Sequence, residues 1–282
     1  MSESTELAVV EEIPELDNIE GVDDEALQRV ERLFQVMSAQ PEGIESDVKW
    51  RPEKLKLRHP ITNDDLMPPE TEVGDIYAPG KLLWSKDEDG RDEPFKFVLC
   101  YAWKSRARFR PGENTPDCTS ADAVWNDEGT LKCENCPDLP FRNGKPTDCH
   151  NTLNMVILPL DLSGVYVARF SKSSYKAGST IMKMLRTSVN SWDKVFGLTT
   201  NEMSNGQNRW NVFQTTPLSE TPPEEVKTFA KYVSSAYKDI REDYLESLKQ
   251  RRENAEEGLE AMESMEEDLD EADDDDGFAD TM

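Results

Sequence analysis

Four of the chain's five cysteines fall within 32 residues, as Cys118, Cys133-Glu134-Asn135-Cys136 and Cys149. A Cys-x-x-Cys pair sets two thiolates on one tight knuckle, and two further single cysteines complete the tetrahedral sulfur shell that a structural Zn²⁺ takes. Between them lie turn formers, Asn126-Asp127-Glu128-Gly129 and Asn143-Gly144-Lys145-Pro146, with too few apolar residues for a core. Metal binding can supply the missing stability. Disulfides, a redox Cys-x-x-Cys and unrelated buried thiols are the rival readings. The start Met1-Ser2-Glu3-Ser4-Thr5-Glu6 is acidic and has no apolar signal region, so a reducing cytoplasm is expected, in a host cell if the protein is viral, and it disfavours disulfides. His150 adjoins Cys149 and could replace it as a ligand; Cys149 is preferred. Cys100, in the apolar run Phe97-Val98-Leu99-Cys100-Tyr101, reads as a buried thiol.

The second candidate for chemistry is a strand from Phe95 to Arg110. Its odd positions are mostly apolar (Phe95, Phe97, Leu99, Tyr101, Trp103, Ala107, Phe109), while Lys104, Arg106, Arg108 and Arg110 alternate with them. A strand repeats its facing every two residues, so four bases stand in a row about 7 Å apart, near the phosphate repeat of an extended nucleic acid. A solvated strand face is the plain alternative. Lys132, Arg142 and Lys145 of the cysteine loop, and Arg169, Lys172, Lys176 and Lys183 beyond it, extend the cationic set. Tyr166 and Tyr175 are candidates to stack on bases, whereas Trp103 and Phe109 belong by parity to the core. No catalytic constellation appears: His59 and His150 lack a nucleophile partner, no glycine-rich phosphate loop exists, and the acids crowd into the ends.

The charge distribution frames these sites. The 282 residues carry a formal charge of −26. Residues 1–40 hold −9 and residues 253–282 hold −15, which leaves about −2 for the body between them. No apolar run is long enough to span a membrane.

The elements follow from periodicity. An acidic arm (1–40) is expected to end in a helix from Asp23 to Ser38, capped by Asp23 or Asp24, with Leu27, Val30, Leu33, Phe34 and Met37 on one face. Ile76-Tyr77 and Leu82-Leu83-Trp84 read as brief strands, and Asp87-Glu88-Asp89-Gly90 as a hairpin turn. Residues 153–160 and 165–170 form a hairpin, and 198–203 pairs with 209–215 across Asn205-Gly206. Between the hairpins a helix presents Ile181, Met184, Leu185, Val189 and Trp192. Thr221-Pro222-Pro223-Glu224 starts a last helix to about residue 255, before a disordered acidic tail over 256–282. The fold class is α+β or mainly β: a barrel of five or six strands over 41–220, enclosing the metal loop 118–150. The tail, with Asp273, Asp274, Asp275, Asp276 and Phe278, reads either as a docking peptide for a protein partner or as a solubilising end.

The order Cys118-Thr119-Ser120, Cys133-x-x-Cys136-Pro137 and Lys145-Pro146-Thr147-Asp148-Cys149, then an apolar hairpin and a Ser/Lys-rich helix start, resembles that of bacteriophage single-stranded DNA-binding replication proteins. The resemblance covers roughly residues 95–215 and the acidic terminus. It implies an OB-fold with a zinc-binding insertion, sequence-tolerant coating of single strands during DNA replication and recombination, and a tail that recruits a polymerase, helicase or RNA polymerase. The chain departs from this pattern in its sparse aromatics on the cationic face and its long acidic N-terminal arm. The alternative is a zinc-ribbon transcription or polymerase-recruiting factor acting mainly through protein contacts.

Overall fold

The computed structural model describes residues 24–38, 52–60, 64–86, 93–110, 115–139, 148–186 and 188–272. The chain divides into two compact units, one of residues 1–103 and 152–238, the other of 104–151 and 239–282.

In chain order the first unit contains α1 (Asp24–Ser38), β1 (Glu53–Lys54), β2 (Lys56–Leu57), β3 (Ile76–Ala78), β4 (Lys81–Trp84) and most of β5 (Phe95–Arg108). After β6 (Cys118–Ser120) come β7 (Cys149–Pro159), β8 (Tyr166–Ser171), α2 (Tyr175–Leu185), β9 (Val195–Ser204), β10 (Arg209–Pro217) and α3 (Glu224–Ala272). The main sheet runs β1-β8-β7-β5-β9-β10, with β6 added on β5; β2, β3 and β4 form a second small sheet. Numbered by their own order, the long strands lie three-two-one-four-five, with α2 between the third and the fourth. That mixed α+β arrangement, a curled sheet, is consistent with an OB-like fold.

Burial on both sides of the sheet holds this unit together. Phe95, Phe97 and Leu99 join Met155, Ile157, Phe170, Ile181 and Phe196 in one core, while Val98 and Cys100 join Val156, Val167 and the α3 residues Val226, Phe229 and Val233 in another. Each fully buried large side chain contributes about 1.5–3 kcal/mol over its exposed state. The single apolar face expected of β5 is therefore incorrect. Its alternation also slips by one residue: Cys100 and Tyr101 lie on the same side, with Trp103, while Ala102 packs on the other. A local irregularity of this kind re-aims everything after it. Tyr237 of α3 stacks on Trp103 at 5.3 Å.

Local chemistry explains the other departures. α2 ends at Leu185, not beyond Trp192, because Ser188, Val189 and Asn190 are weak helix formers. Val189 is consequently 95 % exposed, and Trp192 packs on the second core from a short 3₁₀ turn. At Gly178 an added Cβ would stand 2.8 Å from the Phe170 Cβ, so the absent side chain is what brings α2 onto β8. α3 runs on to Ala272, through sequence expected to be a disordered tail, because residues 253–272 contain no proline and many strong helix formers. The arm before Asp24, including Asp23, the turn at 87–90 and the terminus from Asp273 lie outside the described residues.

Candidate functional site

The second unit is built around the four cysteines. Cys118 opens β6, which pairs with β5 through Arg108↔Cys118, Ala107↔Thr119 and Arg106↔Ser120. Cys133 begins a 3₁₀ turn in which the Cys136 N–H donates to the Cys133 carbonyl at 3.3 Å, and the Leu139 N–H to that of Cys136 at 3.2 Å. Cys149 opens β7. All four line one cavity of about 20 Å³, together with Arg106, Arg108, Asn126 and Leu131. That space fits a single ion or water and no organic cofactor.

The thiols feel one another. Burial pushes the Cys149 thiol up to about 11 and raises that of Cys118; neighbouring cysteines push both further, against the opposing pull of Arg106 on the first and Arg108 on the second. Four cysteines around one small cavity suit a divalent cation, which stabilises thiolates against the burial that raises Cys118 and Cys149. Among the described residues no three such groups are close enough to close a coordination shell as they stand. The convergence on one cavity, not a bond geometry, is the favourable observation. No disulfide joins the five cysteines, and Cys100 is buried at 2 % exposure as expected.

The row of bases on β5 is less available than its spacing implied. Arg108 donates from Nε to Asp117 at 3.0 Å and from Nη1 to Asp138 at 2.6 Å, and Arg110 adds a 3.0 Å bond to Asp117. Asp117 precedes Cys118 and Asp138 follows Cys136, so Arg108 clamps both sides of the thiol knuckle. The Asp117 carboxyl is held below its usual range, chiefly by its hydrogen bond to Arg108. Arg106 Nε donates to the Asn151 carbonyl oxygen Oδ1 at 3.0 Å. Lys104 is exposed, and Lys132 lies over the Trp125 ring with Nζ 5.2 Å from its centre. Arg142 and Lys145, and the tail residues Asp273 to Asp276 and Phe278, fall outside the described residues.

In the first unit the cationic set is better placed. Arg169 on β8, Lys172 just after it, and Lys176 and Lys183 on α2 are exposed, as is Arg186 at the end of α2. Arg169 Nε donates to Asn154 at 3.2 Å. From Leu162 to Trp192 the sequence holds these five bases and no acid. Counting acids along the chain would have brought Arg186 into the set. Tyr166 is a correction: at 2 % exposure, with its hydroxyl donating to the Ser163 carbonyl at 3.2 Å, it is a core residue and offers no stacking face. Tyr175 is half-buried against the first core.

No known protein family, curated protein or solved structure matches the chain. Among the described residues no helix is long and apolar enough to cross a membrane.

Proposed function

We propose that this chain binds single-stranded DNA with little sequence preference, coats it during viral replication and recombination, and engages replication proteins through its acidic terminus. The observation that carries this reading is the acid-free stretch 162–192, with five exposed bases in a chain of charge −26, on a sheet of OB-like strand order. Exposed Lys176, Lys183 and Arg186, on α2 and at its end, can meet phosphates, and binding is driven by the counterions they release. Tyr175 and the aliphatic stems of Lys176 and Lys183 supply the adjoining contact surface for bases. Arg108, paired with Asp117 and Asp138, shapes the knuckle and contributes little free charge, while Arg106 keeps its charge and is oriented by the neutral Asn151 amide.

Cys118, Cys133, Cys136 and Cys149 would hold a Zn²⁺, which when bound supplies a cross-link that the apolar-poor loop lacks. From Phe109 to Asp148 the buried described residues are Ser120, Asn126, Cys133 and Cys136. Fluorescence anisotropy with labelled oligo-dT at two salt concentrations tests the DNA reading. Tight, salt-sensitive binding supports it, and no binding at low salt overturns it. Exposed Val124 (56 %) and Leu131 (36 %) on the knuckle favour a second reading, a protein-recruiting zinc module. That alternative is expressed as absent DNA binding together with stoichiometric capture of a polymerase subunit.

A further inference from the structure

We infer that the thiol knuckle, when it holds its metal, fastens the acidic half of α3, so that metal release lets this helix melt back from Ala272 towards Lys238. The inference rests on the zinc reading above and adds a device to it.

Apart from Leu248, which is 1 % exposed, the fastening is polar. Arg241 Nη2 donates to the Ala121 carbonyl. Arg252 Nη2 pairs with Asp122 Oδ2 at 3.2 Å, and the two side chains are only 16 % and 20 % exposed. The Arg252 guanidinium also lies over the Trp125 ring at 5.6 Å, on a ring that Lys132 covers as well. At Gly129, which is left-handed at φ 79°, any side chain would run into the Arg252 Cγ. A chain of short bonds joins this contact to the thiols. Asp122 Oδ1 accepts from the Val124 N–H at 2.7 Å and the Trp125 N–H at 3.0 Å, and the Cys133 N–H donates to the Val124 carbonyl at 2.7 Å. What fixes Cys133 therefore fixes the turn that grips Arg252.

The helix beyond needs that grip. Residues 253–272 carry ten acids and no base, many of them three or four positions apart, where like charges repel along a helix. Gly258 weakens the middle, and the last turn has no base to complement the helix dipole. Such a segment is marginal by itself and persists by continuing a helix already anchored. In the second unit, Arg241, Arg252 and the buried Leu248 are the anchors that precede it. Without metal the knuckle has almost no apolar core, and the anchors lose their seat.

Hydrogen exchange of the full-length reduced protein, read by mass spectrometry, tests this in three samples: zinc-loaded, chelated, and zinc-loaded Arg252→Ala. Metal content is measured on the same samples. Chelation and the substitution should each speed exchange across 239–254 on the order of tenfold, the loss of one cation–π contact and one shielded ion pair. Peptides from 226–237, anchored by Val226, Phe229 and Val233, should be unchanged, and Arg252→Ala should keep its zinc. Equal protection of 239–254 with and without zinc overturns the inference alone. Absence of stoichiometric zinc from the untreated protein overturns the zinc reading and the inference with it.

Discussion

Replacing Lys176, Lys183 and Arg186 together by alanine should flatten the salt dependence of single-strand binding while leaving the fold intact. The three side chains are exposed, and the two lysines lie seven residues apart on α2, so they share a face. Removing exposed charges changes stability by at most about 0.5 kcal/mol. Each phosphate contact on a single strand contributes about 0.7 to the slope of log affinity against log salt, so three lost contacts remove about 2. Between 50 and 200 mM salt the wild-type affinity should thus fall about 20-fold more than that of the variant. Arg108→Ala is the contrasting substitution: its charge is matched by Asp117 and Asp138, so the slope should stay within one contact of wild type while the knuckle loosens. Anisotropy titrations with oligo-dT across that salt range, with circular dichroism as the fold check, read both. A triple variant with the wild-type slope, or an Arg108→Ala variant whose slope falls by 2, would refute the reasoning.

Three further outcomes follow from particular contacts. The purified reduced protein should contain about one zinc per chain, and Cys133→Ser should lower metal content and melting temperature together; elemental analysis beside calorimetry checks this. Tyr77 and Tyr166 are both pushed up to about 12, mainly by burial. A tyrosine that ionises near 10 when unfolded and near 12 when folded favours the unfolded state between those values, so stability should fall as pH rises from 10 to 12. Tyr77→Phe should weaken that alkaline limb in urea titrations, and an identical limb would remove the assignment. Gly178→Ala should destabilise the first unit by about 1–3 kcal/mol, since the new Cβ meets the fully buried Phe170. A denaturation midpoint equal to wild type would show that α2 moves aside freely.

Elements with a single strong period were the most legible. The two hairpins, the apolar face of α2 up to Leu185 and the start of α3 near Glu224 all follow from alternation, turn chemistry and Pro222-Pro223. The spacing of the four cysteines was visible in the sequence, whereas their lining of one cavity is a tertiary fact that spacing alone does not give. What misled was parity. Alternation along β5 could not reveal a one-residue slip at Cys100 and Tyr101, nor that a second core covers the other side. Charge spacing equally says nothing about pairing: Asp117 and Asp138 lie 9 and 30 positions from Arg108, and only the folded loop brings them to its guanidinium. Tyr166 failed for a related reason, since a tyrosine in an apolar strand looks the same in sequence whether its ring faces the core or the solvent.

Cys100 has a practical consequence as a reporter. It sits at 2 % exposure in the second core, and burial drives its thiol far above the range in which alkylating reagents act. Its modification therefore requires the sheet of the first unit to open, whereas the other four thiols answer to whatever happens at the knuckle. Mass-resolved alkylation thus yields two clocks from one unmodified chain. The first four labels time the release of the loop, and the fifth times the unfolding of the sheet, with no engineered probe to disturb either.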